Sequence, residues 1–469
     1  MNLFATVDSR PVHFMGIAGA GMSGLALLAR QHGVPITGCD NDPSGAADLA
    51  ALGVEIWRGH DPGHVVGARA LVVTAAVPGD HPELERARAL GVPVVRRADA
   101  LSQAVAGGTV VAVAGTHGKT TTTVMVTEAL AAAGRDPTGL AGGRVARWGG
   151  NARVGGRELY VVEADEFDRA FLSLEPTVAV VNNVEADHLE CYGGSVATLE
   201  DAFAEFAGRA RRAIVGTDDA GAARVAARLA VPVWRLGLGG GAGAGAGGGA
   251  GVDVRIIDPA LGERGSTARI ELPGGRALAL RLRVPGLHNL RNAAAALAVV
   301  HELGADLERA LAALAEFGGV GRRFERLGEA RGVTVVDDYA HHPTEVAATL
   351  AAARQAFPRR RVVAVFQPHL FSRTALHGEA LGRALAAADV VVVAPIYAAR
   401  EQPLAGVSAD LVARGAAGAG ATTIAVRERA GLTDRVVETV RAGDVVFTLG
   451  AGDITRVGPE LLARLGDAA

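Results

Sequence analysis

Lysine is nearly missing from this chain of 469 residues: Lys119 stands alone against 46 arginines. Positive charge is supplied by arginine everywhere else. The one position that keeps an ammonium therefore asks for what a guanidinium does not give, a compact, rotatable point charge in place of a wide planar fork. Cysteine is almost as scarce. Cys39 and Cys191 are the only two, which excludes a disulfide framework and suits a reducing compartment. Basic charge is not in excess, and a formal net charge of −3 speaks against a dedicated nucleic-acid binder. No uncharged apolar run reaches the ~18 residues of a membrane span. The first ten residues lack the apolar core of a secretion signal, so a cytoplasmic location is expected.

What is present is globular: 49% hydrophobic and 21% charged residues. At roughly 150 residues per domain the length suggests about three domains, too large for a disulfide or metal mini-scaffold. Short apolar runs alternate with alanine-rich helical patterns, the βαβ signature of an α/β protein with parallel sheets. Residues 12–17 read as a strand, 22–32 as a helix, 34–39 and 71–73 as strands, with a turn at Pro78-Gly79. After a joint at 104–108 come a strand at 109–114, a glycine-rich turn and a helix at 120–133. Strands follow at 159–162 and 178–181, and the almost pure Gly/Ala stretch 237–251 reads as a flexible loop. A second joint at 318–321 precedes strands at 333–336, 362–366, 390–393 and 445–449. The expected domains are 1–107, 108–320 and 321–469.

Two glycine-rich turns carry the chemistry. The first, Gly16-Ile17-Ala18-Gly19-Ala20-Gly21-Met22-Ser23-Gly24, follows a strand and opens a helix, with Asp40 at the end of the next strand. Glycines admit a diphosphate close to the backbone, and the helix start offers it free N–H groups. Asp40 could accept from a ribose or base. On these residues alone a dinucleotide site, a nucleotide-sugar site and an empty tight turn all stay open. The second turn is Gly115-Thr116-His117-Gly118-Lys119-Thr120-Thr121. Its N–H groups would cradle phosphate oxygens, Lys119 would reach the β/γ-phosphates of ATP, and the Thr120 hydroxyl is placed for Mg²⁺. The common spacing asks for glycine at position 113, where this chain has Val113, so the loop is a shortened variant.

Acidic clusters follow at strand ends. Glu163-Ala164-Asp165-Glu166 and Glu185-Ala186-Asp187-His188 offer oxygen ligands for Mg²⁺, against the plainer reading of solvated loop charge. His288-Asn289-Leu290-Arg291-Asn292 opens a helix. His288 or Asn289 reads as its cap, and Asn292 lies one turn on, able to reach a base or phosphate. Asp337-Asp338-Tyr339-Ala340-His341-His342-Pro343-Thr344 and Phe366-Gln367-Pro368-His369-Leu370-Phe371-Ser372-Arg373-Thr374 leave strands at the face where open α/β sheets collect ligands. No cysteine or third histidine falls at a structural zinc spacing beside these histidine pairs.

Taken together these motifs resemble the Mur ligase family, ATP-dependent amino-acid ligases of peptidoglycan precursor synthesis, over essentially the whole chain. The resemblance implies three α/β domains: a Rossmann-like UDP-binding domain, a central P-loop ATPase domain and a C-terminal Rossmann-like domain that closes over both. It implies UDP-N-acetylmuramate and L-alanine as substrates, with ATP and Mg²⁺. A peptide-adding recycling ligase of the same family is the alternative, and an NAD-dependent oxidoreductase the alternative of another class. Gly16, Gly19, Gly21, Met22, Ser23, Gly24, Asp40, His60 and Thr74 would meet the UDP-sugar. Gly115, Thr116, His117, Gly118, Lys119, Thr120 and Thr121 would form the ATP loop, and Asn292, Arg323, Asp338, Tyr339 and His342 would contact the nucleotide. Thr120 and Glu163 would hold Mg²⁺, and His188 would stand at a second metal. Lys119, His188, His369 and Arg373 would serve catalysis.

The chain also departs from the family pattern. Thr74-Ala75 replaces a frequent serine pair, Ala47 a threonine and Phe167 a serine. A carbamylated lysine bridging metals is excluded, since Lys119 is assigned to phosphate.

Overall fold

A computed structural model describes residues 3–75, 77–239, 251–399 and 401–467. Three sheets organise it. In the first, β1 (Val12–Met15), β2 (Ile36–Asp40), β3 (Glu55–Arg58), β4 (Ala70–Val73) and β5 (Val94–Arg96) run parallel in the order β3-β2-β1-β4-β5. Every residue of β1 and β4 is buried, as expected of parallel strands covered on both faces. Strand order reverses between these two, which places a ligand crevice outside their carboxyl ends. The first glycine turn leaves β1 and Thr74 leaves β4, so both lie at that crevice. His13 on β1 is fully buried, and desolvation holds its imidazole far below the ordinary range, at about 4.

The second sheet has ten strands: β6 (Thr109–Ala114), β7 (Thr138–Val145), β8 (Gly150–Arg153), β9 (Leu159–Glu163), β10 (Val178–Val181), β11 (Arg212–Gly216), β12 (Val233–Leu238), β13 (Val254–Gly262), β14 (Gly265–Leu272) and β15 (Arg276–Leu282). Their order is β15-β14-β13-β12-β11-β10-β6-β9-β7-β8. The third sheet comprises β16 (Glu325–Ala330), β17 (Val333–Asp338), β18 (Val362–Phe366), β19 (Val390–Val393), β20 (Thr422–Ala425) and β21 (Val445–Leu449), ordered β16-β17-β21-β18-β19-β20. Alternate residues of its central strands feed opposite cores. Val336, Ala364, Phe366 and Phe447 pack on one side, and Val335, Val363, Val365 and Val446 on the other. The result is a three-sheet α/β fold, with the two sequence joints falling between sheets.

By internal packing the chain divides into two compact units. Met1–Asp258, Ala268–Leu280 and Arg291–Glu316 form one, and Pro259–Thr267, Arg281–Leu290 and Phe317–Ala469 the other. Most elements expected from the sequence are present with small shifts; the first helix, for instance, spans Ala20–Gln31. The loop expected at 237–251 begins inside β12, which includes Gly237 and Leu238, and residues 240–250 lie outside the described residues. His288 and Asn289 do not cap their helix. Both lie inside Leu287–Glu302, where the Asn289 amide donates back to the Pro285 carbonyl at 2.7 Å. Among the described residues no helix is long and apolar enough to cross a membrane.

Candidate active site

In the first unit the phosphate-loop sequence leaves β6 and turns into the helix Lys119–Ala132. Val113, the position that lacks glycine, is a fully buried residue of β6 whose carbonyl accepts from the Ala164 N–H at 2.9 Å. The strand therefore runs on through it, and the loop is short because it starts only at Gly115. Gly118 caps the helix in the left-handed region (φ +78°), where a β-carbon would stand 2.8 Å from Asn292 Oδ1. Asn292 is thereby placed against the loop.

Asn182 and Asn183, directly after β10, fasten that loop. The His117 N–H donates to Asn183 Oδ1 at 2.7 Å, and the Asn183 amide returns to the His117 carbonyl at 3.2 Å. Asn182 Nδ2 reaches Thr122 Oγ1 at 3.1 Å. The Thr116 hydroxyl accepts from the Glu185 N–H at 2.9 Å. Lys119 Nζ donates to the Gly115 carbonyl at 2.7 Å and to Glu166 at 2.8 Å. Burial opposes its charge, but the carboxylates of Glu166, Asp165 and Glu163 outweigh that and hold the ammonium above its ordinary range. Thr121 is buried in the first turn of the helix.

Thr120 Oγ1 donates to Glu163 Oε1 at 3.1 Å, and Glu163 Oε2 accepts the Gly142 N–H at 2.5 Å. Two adjacent ligands of octahedral Mg²⁺ stand about 3 Å apart, so this oxygen pair fits one such ion. The β7 backbone comes so near that a β-carbon on Gly142 would lie 2.6 Å from Glu163 Oε1. His188 sits in the left-handed region (φ 52°), its ring edge-on to Phe167 at 5.1 Å and its nitrogens 3.7 and 3.6 Å from Asp187 and Glu190. Phe167 follows Glu166 in sequence, so His188 borders the segment that meets Lys119. Asp168 and Arg169 share the left-handed conformation. Such strain, of order 1–3 kcal/mol per residue, gathers at functional sites.

At the first sheet, the Gly16 and Ile17 N–H groups donate to the Cys39 carbonyl at 2.8 and 3.1 Å. The Asp40 carboxylate accepts the N–H groups of Ala18 and Asp42, both at 3.0 Å, and so braces the turn. Gly19 precedes the helix as its N-cap residue, and Met22, Ser23 and Gly24 are buried within it. Ser23 Oγ meets Asn151 Nδ2 at 3.0 Å. Arg97 lies over Gly21, where its Nη1 would be 2.7 Å from a β-carbon, and its Nη2 pairs with Asp165 at 3.3 Å. His60 Nδ1 lies 3.2 Å from Cys39 Sγ.

In the second unit, β17 delivers Asp337 and Asp338. The Arg322 guanidinium binds Asp337 at 3.0 Å and the Gly450 carbonyl at 2.6 Å. Arg322 and Phe324 are both left-handed (φ 57° and 51°), and between them Arg323 lies over the Tyr339 ring at 5.0 Å. Asp338 accepts from the Ala340 and Phe324 N–H groups at 2.8 Å. Burial raises its carboxyl to about 6 against the pull of Arg323 and those two N–H groups. His342 is the N-cap residue of the helix Pro343–Ala356 and packs edge-on to His377 at 4.9 Å. His369 stacks on Tyr397 at 5.8 Å and lies 3.4 Å from Arg373 Nη1. Arg373 is buried near the start of the helix Phe371–Leu385, which follows the left-handed Leu370.

Sequence reasoning passed over Asn182, Asn183, Arg97, Gly142 and the pairing of Glu166. The signal for the two asparagines was their place, directly after an apolar strand beside the loop.

Three family models match the chain: the Mur ligase family catalytic domain over residues 11–109, the Mur ligase middle domain over 113–300, and the Mur ligase glutamate ligase domain over 322–452. A UDP-N-acetylmuramate–L-alanine ligase of Cutibacterium acnes is 44% identical, covering 97% of this chain and 96% of that protein. One from Bordetella petrii is also 44% identical, covering 97% and 98%. The solved UDP-N-acetylmuramate–alanine ligase of Thermotoga maritima superposes with a TM-score of 0.82 at 28% identity, covering 98% of this chain and all of that one. A murein peptide ligase from Psychrobacter arcticus gives 0.73 at 25% identity, with coverage of 98% and 99%.

Proposed function

The chain belongs to the Mur ligase family, and from that premise we infer that it joins L-alanine to the lactyl carboxylate of UDP-N-acetylmuramate while ATP is cleaved to ADP and phosphate. The observation that carries this reading is the sole lysine, set in a glycine-rich strand-to-helix turn with its ammonium kept charged. The relatives named for alanine ligation favour it over the peptide-adding and NAD-dependent alternatives. A cytoplasmic location accords with cytosolic nucleotide substrates and remains part of the proposal.

A carboxylate is a poor acyl donor. Its oxygen first attacks the γ-phosphorus of ATP, ADP leaves, and an acyl phosphate results; catalysis of that step is mostly positioning and charge neutralisation. Lys119 would neutralise the β/γ-phosphates, while Gly115, Thr116, His117, Gly118 and Thr121 cradle them. Mg²⁺, held by Thr120 and Glu163 with His188 at a second metal, would add further neutralisation. Asn292, Arg323, Asp338, Tyr339 and His342 would contact the nucleotide. The alanine nitrogen then attacks the acyl carbon and loses a proton, and phosphate departs. His188, His369 and Arg373 would stabilise the oxyanion and place the amino acid. Gly16, Gly19, Gly21, Met22, Ser23, Gly24, Asp40, His60 and Thr74 would bind the UDP-sugar. The domain limits in this scheme are 1–107, 108–320 and 321–469.

The test is phosphate release from ATP as each substrate is added in turn. Release that needs both UDP-N-acetylmuramate and L-alanine supports the proposal. Release with UDP-N-acetylmuramate and a tripeptide, but not with L-alanine, overturns it.

A further inference from the structure

Four segments of the first sheet's domain, none of them part of the phosphate loop, converge on one point. They are β1 with His13, β2 with Cys39, the turn Pro62–Val65 with His64, and the helix Pro82–Ala89 with Glu83. One potential ligand atom from each of these four side chains lies within 4.8 Å of all the others. The set combines two imidazoles, a thiol and a carboxylate, donors typical of zinc. Tetrahedral ligands of that ion stand about 3.3–3.8 Å apart, so closing on a metal asks for shifts of about 1 Å.

Two features of the cluster are unfinished without a cation. The Glu83 carboxylate is fully buried, and among the described residues it meets the Asp61 N–H at 2.9 Å, His64 Nδ1 at 3.0 Å, the Cys39 thiol at 3.4 Å and His60 at 3.9 Å. No lysine or arginine is among these partners, so Glu83 has no permanently charged partner there, and burying a carboxylate is costly. His13 has no exposed surface; its Nδ1 meets the Thr37 hydroxyl at 3.0 Å, while its buried Nε2 has no hydrogen-bond partner among the described residues. One ring nitrogen tied to a second group and the other bare is the arrangement of a metal-ligating histidine.

We propose that His13, Cys39, His64 and Glu83 form a binding site for one divalent transition ion of the zinc class, stapling four segments of this domain together. The ion would displace the thiol proton and set a permanent positive charge beside Glu83. Its anchor on Cys39 lies directly under the first glycine turn, because the Cys39 carbonyl accepts the Gly16 and Ile17 N–H groups. The inference does not rest on the ligase reading.

Cobalt(II) is the probe, added to the intact reduced protein in excess Mg²⁺. The expected result is one Co²⁺ per chain, with a thiolate-to-cobalt charge-transfer band and strong visible bands of tetrahedral geometry. Both should vanish in Cys39→Ser, survive in Cys191→Ser, and weaken with lost affinity in Glu83→Gln and His64→Gln. Circular dichroism would establish that each variant is folded, and equimolar Zn²⁺ should bleach the bands. Absence of a charge-transfer band in the wild-type protein would overturn the proposal. So would a band unchanged in folded Cys39→Ser or lost in Cys191→Ser.

Discussion

Lys119 and Glu166 form a largely buried ion pair, Nζ and carboxylate 2.8 Å apart, in the loop proposed to receive triphosphate. A phosphate reaching that ammonium competes with Glu166 and with the carbonyls of Gly115 and Thr116 to which it donates. The pair thus stores the lysine in a charged, oriented state, and the carboxylate competes with the ligand for it.

Replacing Lys119 with methionine should lower ATP-dependent ligation by about a thousandfold, at the upper end of what loss of one preorganised charged donor costs. Lys119→Arg should rescue little, since the fork cannot fit beside the carbonyls of Gly115 and Thr116. Glu166→Gln removes the carboxylate that pairs directly with the ammonium, leaving only the more distant Asp165 and Glu163, and should destabilise the nucleotide-free protein by about 3 kcal/mol. ADP should recover much of that loss. Thermal melts with and without ADP are the check; an equal ADP shift in wild type and variant would dismiss the competition.

Much of this site was legible in the sequence because glycine-rich turns and apolar strands are local patterns. Both turns leave strands, as read, and the β/α alternation read around β1, β2, β4, β6, β9, β10, β17, β18, β19 and β21 follows from period and punctuation, whereas β11 to β15 were not read. Val113 shows the limit: the motif exposed a missing glycine, but only the strand pairing explains it. Asn183 and Glu166 act across 66 and 47 residues of chain, on His117 and Lys119, and no local spacing encodes such contacts. The cluster of His13, Cys39, His64 and Glu83 escaped for the same reason. These four stand at no local zinc spacing and beside no histidine pair; the packing of β1, β2 and the segments 62–65 and 82–89 brings them together. The β7–β8 hairpin was missed because Thr138–Val145 is rich in glycine and lacks a strong alternating signal.

Gly142→Ala should separate catalysis from stability. The new methyl would press on Glu163, whose carboxylate is the end of a flexible side chain and moves away cheaply. Unfolding free energy should change by less than about 1 kcal/mol. The displaced Glu163 no longer meets Thr120, and the Mg²⁺ concentration for half-maximal activity should rise by roughly 10- to 100-fold. Titrating activity with Mg²⁺ decides it; an unchanged midpoint would remove Glu163 from the proposed metal set.

Asn183→Ala removes the acceptor for the His117 N–H and one fastening of the phosphate loop. The shorter of the two hydrogen bonds that the Asn183 side chain makes with His117 contributes about 1 kcal/mol. KM for ATP should therefore rise by about 5- to 10-fold with a smaller change in kcat. Steady-state kinetics at saturating UDP-N-acetylmuramate and L-alanine measures the split; a fall in kcat alone would place Asn183 elsewhere in the cycle.

Asp338 gives a pH signature to the second unit. Its carboxyl has an ordinary value of 3.8 and is raised by burial to about 6, so the folded state holds the proton more tightly than the unfolded state. The stability it contributes is fully present below pH 3.8 and is lost as pH rises through 6. Across that window the change is about 3 kcal/mol. Asp338→Asn cannot titrate, so lowering pH from 7 to 4 should stabilise the wild type relative to the variant by nearly that amount. Hydrogen exchange of the β17 amides at both pH values reads the difference directly. A wild-type to variant gap that stays constant with pH would mean that Arg323 and the Ala340 and Phe324 N–H groups already keep the carboxylate ionised.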